Sequence, residues 1–384
     1  MQSRSAIDSL SLKSPTTSHE LVIPAGVVQP KWMTDAPASI RPLVDRSSHF
    51  AWIAAADALA DSGLDTTMWD GERIGVATGC CMNGISETDR GFQDLYVRNK
   101  RRVHPFTLVR TMPNASAALI AGWLGISGPA LHYSTTCSSS SVAIGEAARL
   151  IRHGYADVMI AGGTEALLTY SAVNCWDSAR LLAPVSPNVF DSCRPFDSTR
   201  QGAVLGEGAA FVVLESWELA SRRKARIHAE LIGYGTTADA NHPTQPTQAG
   251  QARSMTSALA DAEVAASQVH YIHAHGTATK LNDLVETRAV KQVFGPDSSR
   301  IPMSSTKSMV GHMVGAAGSF GVIVAASAII RREIPPTAHL EHPDPECDLD
   351  YVPKVARKLD RVETTMTNAF GFGGTSATLL LRAA

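Results

Sequence analysis

Short apolar runs that end in small residues and lead into alanine-rich stretches recur along the whole chain, and this repetition most limits the possible fold. In the first half the runs read RIGVATGCC, ALHYSTTC, ADVMIAGGTEA and GAAFVVLES. From about residue 228 they read HAELIGYGTTAD, VHYIHAHGTAT, IPMSSTKS, TTMTNAFGFGG and SATLLLRAA. Because strands alternate with helical segments in both series, the sequence predicts a duplicated, layered α/β architecture. We place the two halves at residues 1–222 and 223–384.

Composition and charge exclude several classes of protein. The 384 residues are 44% hydrophobic and 18% charged, which is enough to bury a sizeable core. A formal net charge of −2 gives no general attraction to nucleic acid or to a membrane surface, so we predict neither partner. The six cysteines show no CxxC spacing, and the polar start lacks the apolar segment of a signal peptide. We also find no run of 18 or more apolar residues, and we predict a cytoplasmic protein.

The stretch STTCSSSS, residues 134–141, places Cys137 where a strand turns into the amphipathic segment VAIGEAARLIR. At the start of a helix, free backbone N–H groups and the helix dipole lower the pKa of a thiol and favour the thiolate. Small serines would let a substrate approach closely, although one or two of them could simply cap the helix. A structural, buried cysteine is the alternative interpretation of this position alone.

Two histidine-containing segments favour the interpretation of Cys137 as a nucleophile. HAHGTATKLND places His275 after an apolar strand, and SSTKSMVGHMVGAAG places Lys307 and His312 on a glycine-rich turn before a helix. With NAFGFGGTS near the C-terminus, these segments resemble, in order and detail, the β-ketoacyl-acyl-carrier-protein synthases of the elongating, Cys-His-His type. The resemblance implies the five-layer αβαβα fold of the thiolases. It runs from about residue 20 to the end of the chain.

The resemblance also implies the role of each matching residue. Cys137 would accept an acyl chain from a phosphopantetheine thioester, and the backbone N–H groups of Cys137 and Phe372 would form the oxyanion hole. His275 and His312 would bind the carbonyl of a malonyl unit and stabilise the enolate formed by decarboxylation. Lys307 would position His312.

Further residues would surround this centre. Glu286 would be a buried structural acid, and we expect Asp283 to cap a helix. Thr277, Thr279 and Thr244 would line the tunnel for the pantetheine arm.

The partner implied by the resemblance is an acidic acyl carrier protein. Arg180 and Arg46 would contact it, whereas the basic run 98–104 is interpreted as either a solvated face or a further contact. Ala203 replaces an aromatic residue that elongating fatty-acid enzymes usually carry, which predicts a wider acyl entrance. Met112 would gate the acyl pocket at a dimer contact, or it is a core residue.

No metal or cofactor is predicted. The sequence shows no cluster with metal-ligand spacing, and its glycine-rich stretches lack the strand-to-helix context of a dinucleotide site. Family members usually open with a strand and turn of the type VVVTGxG, and residues 1–20 do not resemble it. The resemblance implies that this strand lies inside the sheet, so we expect either a start upstream of residue 1 or an altered sheet edge, with a partner.

Several related activities remain alternatives. A thiolase would need a second cysteine near the C-terminal glycine-rich loop, and priming synthases pair cysteine with histidine and asparagine. A ketosynthase-like acyltransferase that uses only the first half-reaction would have lost a histidine. We therefore expect a decarboxylative condensing enzyme of fatty-acid, polyketide or polyene synthesis. It would act as a homodimer, or as the active subunit of a heterodimer with a chain-length factor.

Overall fold

The structure, a computed structural model, describes residues 4–65 and 70–384. The elements of the first half are β1 Ile7–Lys13, β2 Glu20–Gly26, α1 Arg46–Ser62, β3 Ile74–Gly79, α2 Ile85–Phe92, α3 Thr107–Thr111, α4 Ala115–Leu124, β4 Ala130–Tyr133, α5 Ser139–Arg152, β5 Val158–Glu165, α6 Tyr170–Ser178, β6 Leu205–Gly206, β7 Gly208–Glu215 and α7 Trp217–Arg222. The elements of the second half are β8 Glu230–Ala238, α8 Gln248–Asp261, β9 Tyr271–His273, α9 Lys280–Phe294, β10 Met303–Ser304, α10 Lys307–Val310, α11 Ala317–Arg331, β11 Glu333–Ile334, β12 Arg357–Lys358, β13 Thr364–Phe370 and β14 Thr375–Arg382.

Each half contributes one mixed sheet, and the two sheets share one topology. The first has the order β4-β3-β5-β7 and the second the order β10-β9-β13-β14-β8. In both, the inner strands are parallel and one long strand, β7 or β14, runs antiparallel to its neighbour. The predicted duplicated α/β fold is confirmed, and the second sheet has one strand more than the first.

The extra strand corrects one expectation about the missing first strand. β8 is the first strand of the second half, and it lies at the edge of its sheet, antiparallel to β14. Its counterpart in the first half would therefore lie at the edge beside β7, not inside the sheet. Within the described residues the ladder β4-β3-β5-β7 is continuous.

Residues 7–26 form a separate hairpin instead. β1 and β2 pair antiparallel from Ile7 opposite Gly26 to Lys13 opposite Glu20, and β2 continues parallel to β6. Leu21 and Ile23 of the hairpin pack in the same apolar cluster as Cys137. The start of the chain thus covers the region of the predicted nucleophile.

Helices α5 and α11 form the central layer between the sheets. α5 contacts β3 and β5 on one side and β14 on the other, while α11 contacts β7 and β13. α1 and α4 cover the outer face of the first sheet, and α8 with α9 cover that of the second. This arrangement gives the five layers that the resemblance implies.

The central position explains the composition of α11. The 18-residue window Val314–Arg331 has a mean hydropathy of 1.7, long and apolar enough by itself to cross a membrane. Its residues are mostly buried between two sheets, and a helix buried in this way is apolar on most of its faces.

The two central helices approach each other through small residues. Ser140 Oγ accepts a hydrogen bond from the backbone N–H of Ser319 at 2.8 Å, and a methyl group added at Gly318 would lie 2.2 Å from Ser141 Oγ. The serines after Cys137 therefore form a helix contact, which is a further role beside the capping that we expected.

Substitution of Gly79, at the end of β3, tests how tightly the turn of Cys137 is packed. A Cβ at Gly79 would lie 2.4 Å from the backbone carbon of Ser139, so Gly79→Ala must push the start of α5 away. We expect a loss of about 1–3 kcal/mol in the free energy of unfolding, measured by urea denaturation. Gly122→Ala in α4 is the matched control, because its Cβ would meet no atom within 4 Å. Helix propensity should stabilise that variant by up to about 1 kcal/mol; equal stability of the two variants would contradict the packing argument.

Candidate active site

The predicted nucleophile lies in a tight turn between β4 and α5. Residues Thr136–Ser138 form one turn of 3-10 helix, and α5 begins only at Ser139. Thr136 has a φ of 55°, a left-handed conformation that a β-branched residue rarely adopts, and its hydroxyl donates to the carbonyl of Phe372 at 3.0 Å. Because of this turn the Cys137 side chain lies in the interior, and the residue is only 5% exposed.

Both predicted histidines reach the sulfur from the second half. His312 Nε2 lies 3.1 Å from Cys137 Sγ, and the ring of His275 meets the ring of His312 edge-on with centroids 5.5 Å apart. One donor atom from each of the three side chains lies within 4.8 Å of the other two. The duplicated fold thus joins three residues that are up to 175 positions apart in the chain.

Burial decides the charge of both imidazoles. Burial first, and then the positive charge of Lys307, hold the pKa values of His275 and His312 well below the ordinary value for histidine. Both rings are therefore neutral at physiological pH. A neutral imidazole can accept a proton at one nitrogen and donate a hydrogen bond at the other, as the predicted mechanism requires.

The prediction that the helix lowers the pKa of the thiol is wrong. Burial raises the pKa of Cys137 to about 11, although Lys307 and the backbone N–H groups of Phe372 and Cys137 act in the opposite direction. The cysteine is buried ahead of α5, and desolvation of the thiolate outweighs the effect of Lys307 and of these N–H groups. The resting nucleophile is a thiol, and His312 Nε2 is placed to receive its proton.

The same two N–H groups are the predicted oxyanion donors. The backbone N–H of Phe372 comes from the turn between β13 and β14, and that of Cys137 from its own turn. Both N–H groups lower the pKa of the Cys137 thiol, which indicates that they lie near the sulfur, and the oxyanion hole stays a prediction.

Lys307 and Glu286 hold the segment of His275. The Lys307 ammonium donates to the carbonyl oxygen of His275, and the Glu286 carboxylate accepts from the backbone N–H groups of His275 and Gly276, each at 2.8 Å. Burial raises the pKa of Glu286 to about 7. We expected Lys307 to position His312, but its direct hydrogen bond is to His275. It affects His312 through its charge.

The three predicted pantetheine threonines line one pocket with Cys137. Thr277 and Thr279 share a hydrogen bond between their hydroxyls at 2.9 Å, while Thr244 is exposed at the mouth. Thr279 also caps α9, a role that we assigned to Asp283. Asp283 instead accepts from the backbone N–H of Thr277 and lies fully buried, so the capping prediction is wrong.

Of the two residues predicted to form the acyl pocket, one lines the pocket of Cys137 and the other does not. Ala203 is 2% exposed and lines the pocket of Cys137. Met112 does not line it; its carbonyl accepts from the Asn83 side chain at 2.9 Å at the end of α3. The methionine that packs in the cluster of Cys137 is Met82, at the turn after β3.

Sequence reasoning missed two residues of this site. Trp176 on α6 lines the pocket, with its indole edge-on to the His312 ring at 6.5 Å and tilted against the Phe372 ring at 5.7 Å. Glu165 is fully buried, and its carboxylate accepts from the backbone N–H of Cys81 and of Gly315, each at 2.9 Å. A tryptophan on a helix and a glutamate at the end of a buried strand carry no local signal of such a position.

The two predicted docking arginines are both exposed, and they differ in their surroundings. Arg180 lies on the surface beside Leu181, which lines the pocket. Arg46 is engaged within the molecule: its Nε donates to the buried Glu207 carboxylate at 2.8 Å, and its guanidinium lies 4.8 Å from the Phe50 ring. This pairing gives Arg46 a structural role, and its contact with the carrier protein stays a prediction.

Alkylation kinetics test the protonation state of the nucleophile. We expect the rate of modification of Cys137 by iodoacetamide to keep rising with pH up to about 10, because only the thiolate reacts. The exposed Cys175 is the control within the same molecule, since it lies outside the pocket of Cys137. Peptide-level mass spectrometry measures both rates. A plateau for Cys137 below about pH 8 would show that the thiolate is present in the resting enzyme.

Comparison with known proteins extends the likeness beyond these motifs. The profile of the β-ketoacyl synthase N-terminal domain matches residues 25–220, and that of the β-ketoacyl synthase C-terminal domain matches residues 228–341. Nodulation protein E of Rhizobium meliloti is 42% identical over 339 residues, which cover 88% of this chain and 83% of that protein. A 3-oxoacyl-[acyl-carrier-protein] synthase 2 of Staphylococcus aureus is 40% identical over 341 residues, which cover 88% of this chain and 84% of that protein.

Solved structures share the fold as well. A ketosynthase in complex with its type II polyketide acyl carrier protein and bound to a hexaketide is 29% identical, with a TM-score of 0.87. The match covers 99% of this chain and 92% of that one. With both domain profiles matched and these identities over most of each relative, the chain belongs to the β-ketoacyl synthase family.

Proposed function

We propose that this chain is a 3-oxoacyl-[acyl-carrier-protein] synthase, an acyltransferase that condenses an acyl thioester with a malonyl unit on a carrier protein. One observation carries the proposal. A buried thiol shares a hydrogen bond with the neutral His312 at 3.1 Å, and a second neutral imidazole, that of His275, adjoins the first. An acyl-transfer step and a decarboxylation step can both use this centre.

In the first half-reaction the thiol proton of Cys137 moves to His312 Nε2, and the sulfur attacks the acyl thioester. The N–H groups of Cys137 and Phe372 stabilise the tetrahedral oxyanion, and the carrier leaves as a free thiol after taking the proton. Removing one oxyanion donor typically lowers such a rate by roughly 10²–10³. The product of this step is an acyl-enzyme on Cys137.

In the second half-reaction a malonyl thioester occupies the vacated site. Its carbonyl oxygen accepts hydrogen bonds from His275 and His312, the carboxylate leaves as carbon dioxide, and the electron pair of the broken bond forms an enolate. The enolate carbon attacks the acyl carbonyl, and the sulfur of Cys137 is released. The released thiolate takes one proton from solvent, because its first proton left with the carrier thiol, and the 3-oxoacyl chain leaves on the second carrier. The low pKa values of both imidazoles support their role as neutral donors.

The surface near the pocket supports an acyl carrier protein as partner. Arg180 is exposed beside a pocket-lining residue, and Arg101 and Arg102 are exposed in the basic run. Arg98 and Lys100 of that run pair with Asp94 instead, which reduces the charge they offer to a partner. We propose that Arg180, with Arg101 and Arg102, attracts the acidic carrier, and we leave Arg46 out of this surface.

We propose that the protein assembles as a dimer. We also propose that it is cytoplasmic. β4 ends the first sheet with its outer edge unpaired among residues 4–65 and 70–384, and Leu131 on it is 37% exposed. A second subunit can continue the sheet there, because an unpaired edge offers backbone groups to another strand. The second subunit could be a copy of this chain or a chain-length factor. In either case this chain carries the nucleophile Cys137.

The alternatives fit the site less well. A thiolase needs a second cysteine at the turn between β13 and β14, and residues 371–374 read GFGG. A priming synthase would carry asparagine at one histidine position. An acyltransferase without condensation would lack one imidazole, whereas both lie beside the sulfur.

Separating the half-reactions tests the proposed function. We expect Cys137→Ala to abolish acylation and condensation but still to release carbon dioxide from malonyl carrier protein. His275→Ala and His312→Ala should each lower that release by about 10²-fold or more. His153→Ala, at an exposed position after α5, is the matched control. Full condensation by Cys137→Ala, measured by mass spectrometry of the carrier, would refute the proposal.

Acyl selectivity tests the role of the small residue at position 203. Ala203→Phe adds an aromatic ring to the pocket that Trp176 also lines. We therefore expect kcat/KM for bulky acyl chains to fall at least about tenfold relative to kcat/KM for short acyl chains. Ala203→Val is the second variant, since it adds less volume to a buried position. If both folded variants kept the same ranking of acyl substrates, the prediction of a widened acyl entrance would be wrong.

A further inference from the structure

Given the proposed function, on which this inference rests, we propose that Arg200 is a positioning residue. It holds residues 276–280 in the shape that binds the amide groups of a pantetheine arm. Arg200 is 3% exposed, and it lies on the loop between α6 and β6. It does not line the pocket of Cys137, whereas Thr277 and Thr279 of the held segment do. Any effect of Arg200 on the substrate therefore passes through other residues.

Residues 276–280 form a turn that needs support from outside. Gly276 has a φ of 36° and Ala278 has a φ of 65°, both in the left-handed region. A left-handed backbone at a residue with a Cβ is unfavourable, and it persists only where surrounding contacts hold it. The turn brings the hydroxyl oxygens of Thr277 and Thr279 to 2.9 Å from each other. The position of these hydroxyls therefore depends on the contacts that keep the turn in place.

The guanidinium of Arg200 binds the C-terminal end of this turn. Its Nε donates to the carbonyl of Thr279 at 3.3 Å, and its Nη2 donates to the carbonyl of Lys280 at 3.0 Å. Two donors of one planar group thus hold two consecutive peptide carbonyls. Because the donors lie in a fixed plane, they restrict the rotation of this backbone as well as its position.

The N-terminal end of the turn is held by Asp283, which Arg200 also approaches. The Asp283 carboxylate accepts from the backbone N–H of Thr277 at 3.1 Å and from that of Phe196 at 2.8 Å. Nε of Arg200 lies 3.6 Å from the same carboxylate, and neither side chain is more than 3% exposed. A buried carboxylate that lost this positive charge would be destabilised where it stands. Arg200 therefore acts on both ends of the turn.

Arg200 is itself anchored on the side away from the turn. Its Nη1 donates to the Asp344 carboxylate at 2.6 Å and to the carbonyl of Asp197 at 2.8 Å. The Asp197 carboxylate accepts in turn from the backbone N–H groups of Glu341 and His342. These contacts join three loops, so Arg200 also contributes to the stability of the fold. An effect on pantetheine binding must be separated from that contribution.

Two thioesters of the same acyl group separate the two roles. Hexanoyl pantetheine carries the amide arm, and S-ethyl hexanethioate lacks it. Arg200→Lys keeps the charge, but its single nitrogen cannot reach all the acceptors that a planar guanidinium reaches. We expect kcat/KM for acylation of Cys137 by hexanoyl pantetheine to fall about tenfold, mainly through KM, and kcat/KM for S-ethyl hexanethioate to change less than about twofold. Mass spectrometry of the intact protein measures both reactions.

Two further variants control for folding. Arg194→Lys is the matched control, because Arg194 lies on the same loop and donates to the carbonyl of Asp191 and to the hydroxyl of Thr199. It should react with both thioesters like the unmodified chain. Asp344→Asn weakens the anchor of Arg200 at a side chain that is 20% exposed. It should shift the preference in the same direction by a smaller factor, which keeps the test valid if Arg200→Lys does not fold.

Thr277→Val identifies the path of the effect. It should lower the preference for hexanoyl pantetheine by itself, and the combined effect with Arg200→Lys should be smaller than the product of the two single effects. Equal losses for the two thioesters in Arg200→Lys would show a structural role alone and would overturn the inference. An unchanged preference in Thr277→Val would overturn it as well. If neither thioester acylated Cys137 in the unmodified chain, the proposed function would fail, and the inference with it.

Discussion

The close packing of α5 against α11 is the contact on which the rest of the molecule depends. Each helix begins beside one part of the active site: α5 directly after the turn of Cys137, and α11 five residues after His312. Only small side chains allow this approach, because Gly318 leaves no room for a Cβ beside Ser141. The distance between the sulfur and Nε2 is therefore a consequence of how two serine- and glycine-bearing helices pack between two sheets.

Burial is the second constraint, and it acts on every ionisable group of the site in a consistent way. It keeps both imidazoles neutral and the thiol protonated. The positive charge of Lys307 is placed against the carbonyl of His275 and near the carboxylate of Glu286. The result is a site whose catalytic groups carry no charge until a substrate arrives, while the fixed charges lie one layer behind them.

The two sheets are unequal within the described residues. The second ends in the edge strand β8, whereas the first ends in β7. The hairpin β1–β2 does not pair with β7, because it pairs with β6 and covers the cluster of Cys137 instead.

Much of this could be predicted from the sequence. The alternation of strand and helix patterns determined the duplicated α/β fold, and the motifs around Cys137, His275, His312 and Phe372 indicated the residues that the fold brings together. These features are local, since strand endings, glycine-rich turns and helix starts are encoded within about ten residues of each other. The edge position of the absent strand could have been read only from the topology of the second half.

Only the tertiary structure decided the properties that depend on neighbours distant in the chain. The pKa of Cys137 was predicted from a helix start and was instead determined by desolvation. Trp176 and Glu165 enter the site through contacts that sequence spacing does not indicate, and Arg46 pairs with Glu207. The sequence by itself determined which residues can react. The packed fold decided their charge, their partners and the space around them, because burial and contact arise only when separate segments meet.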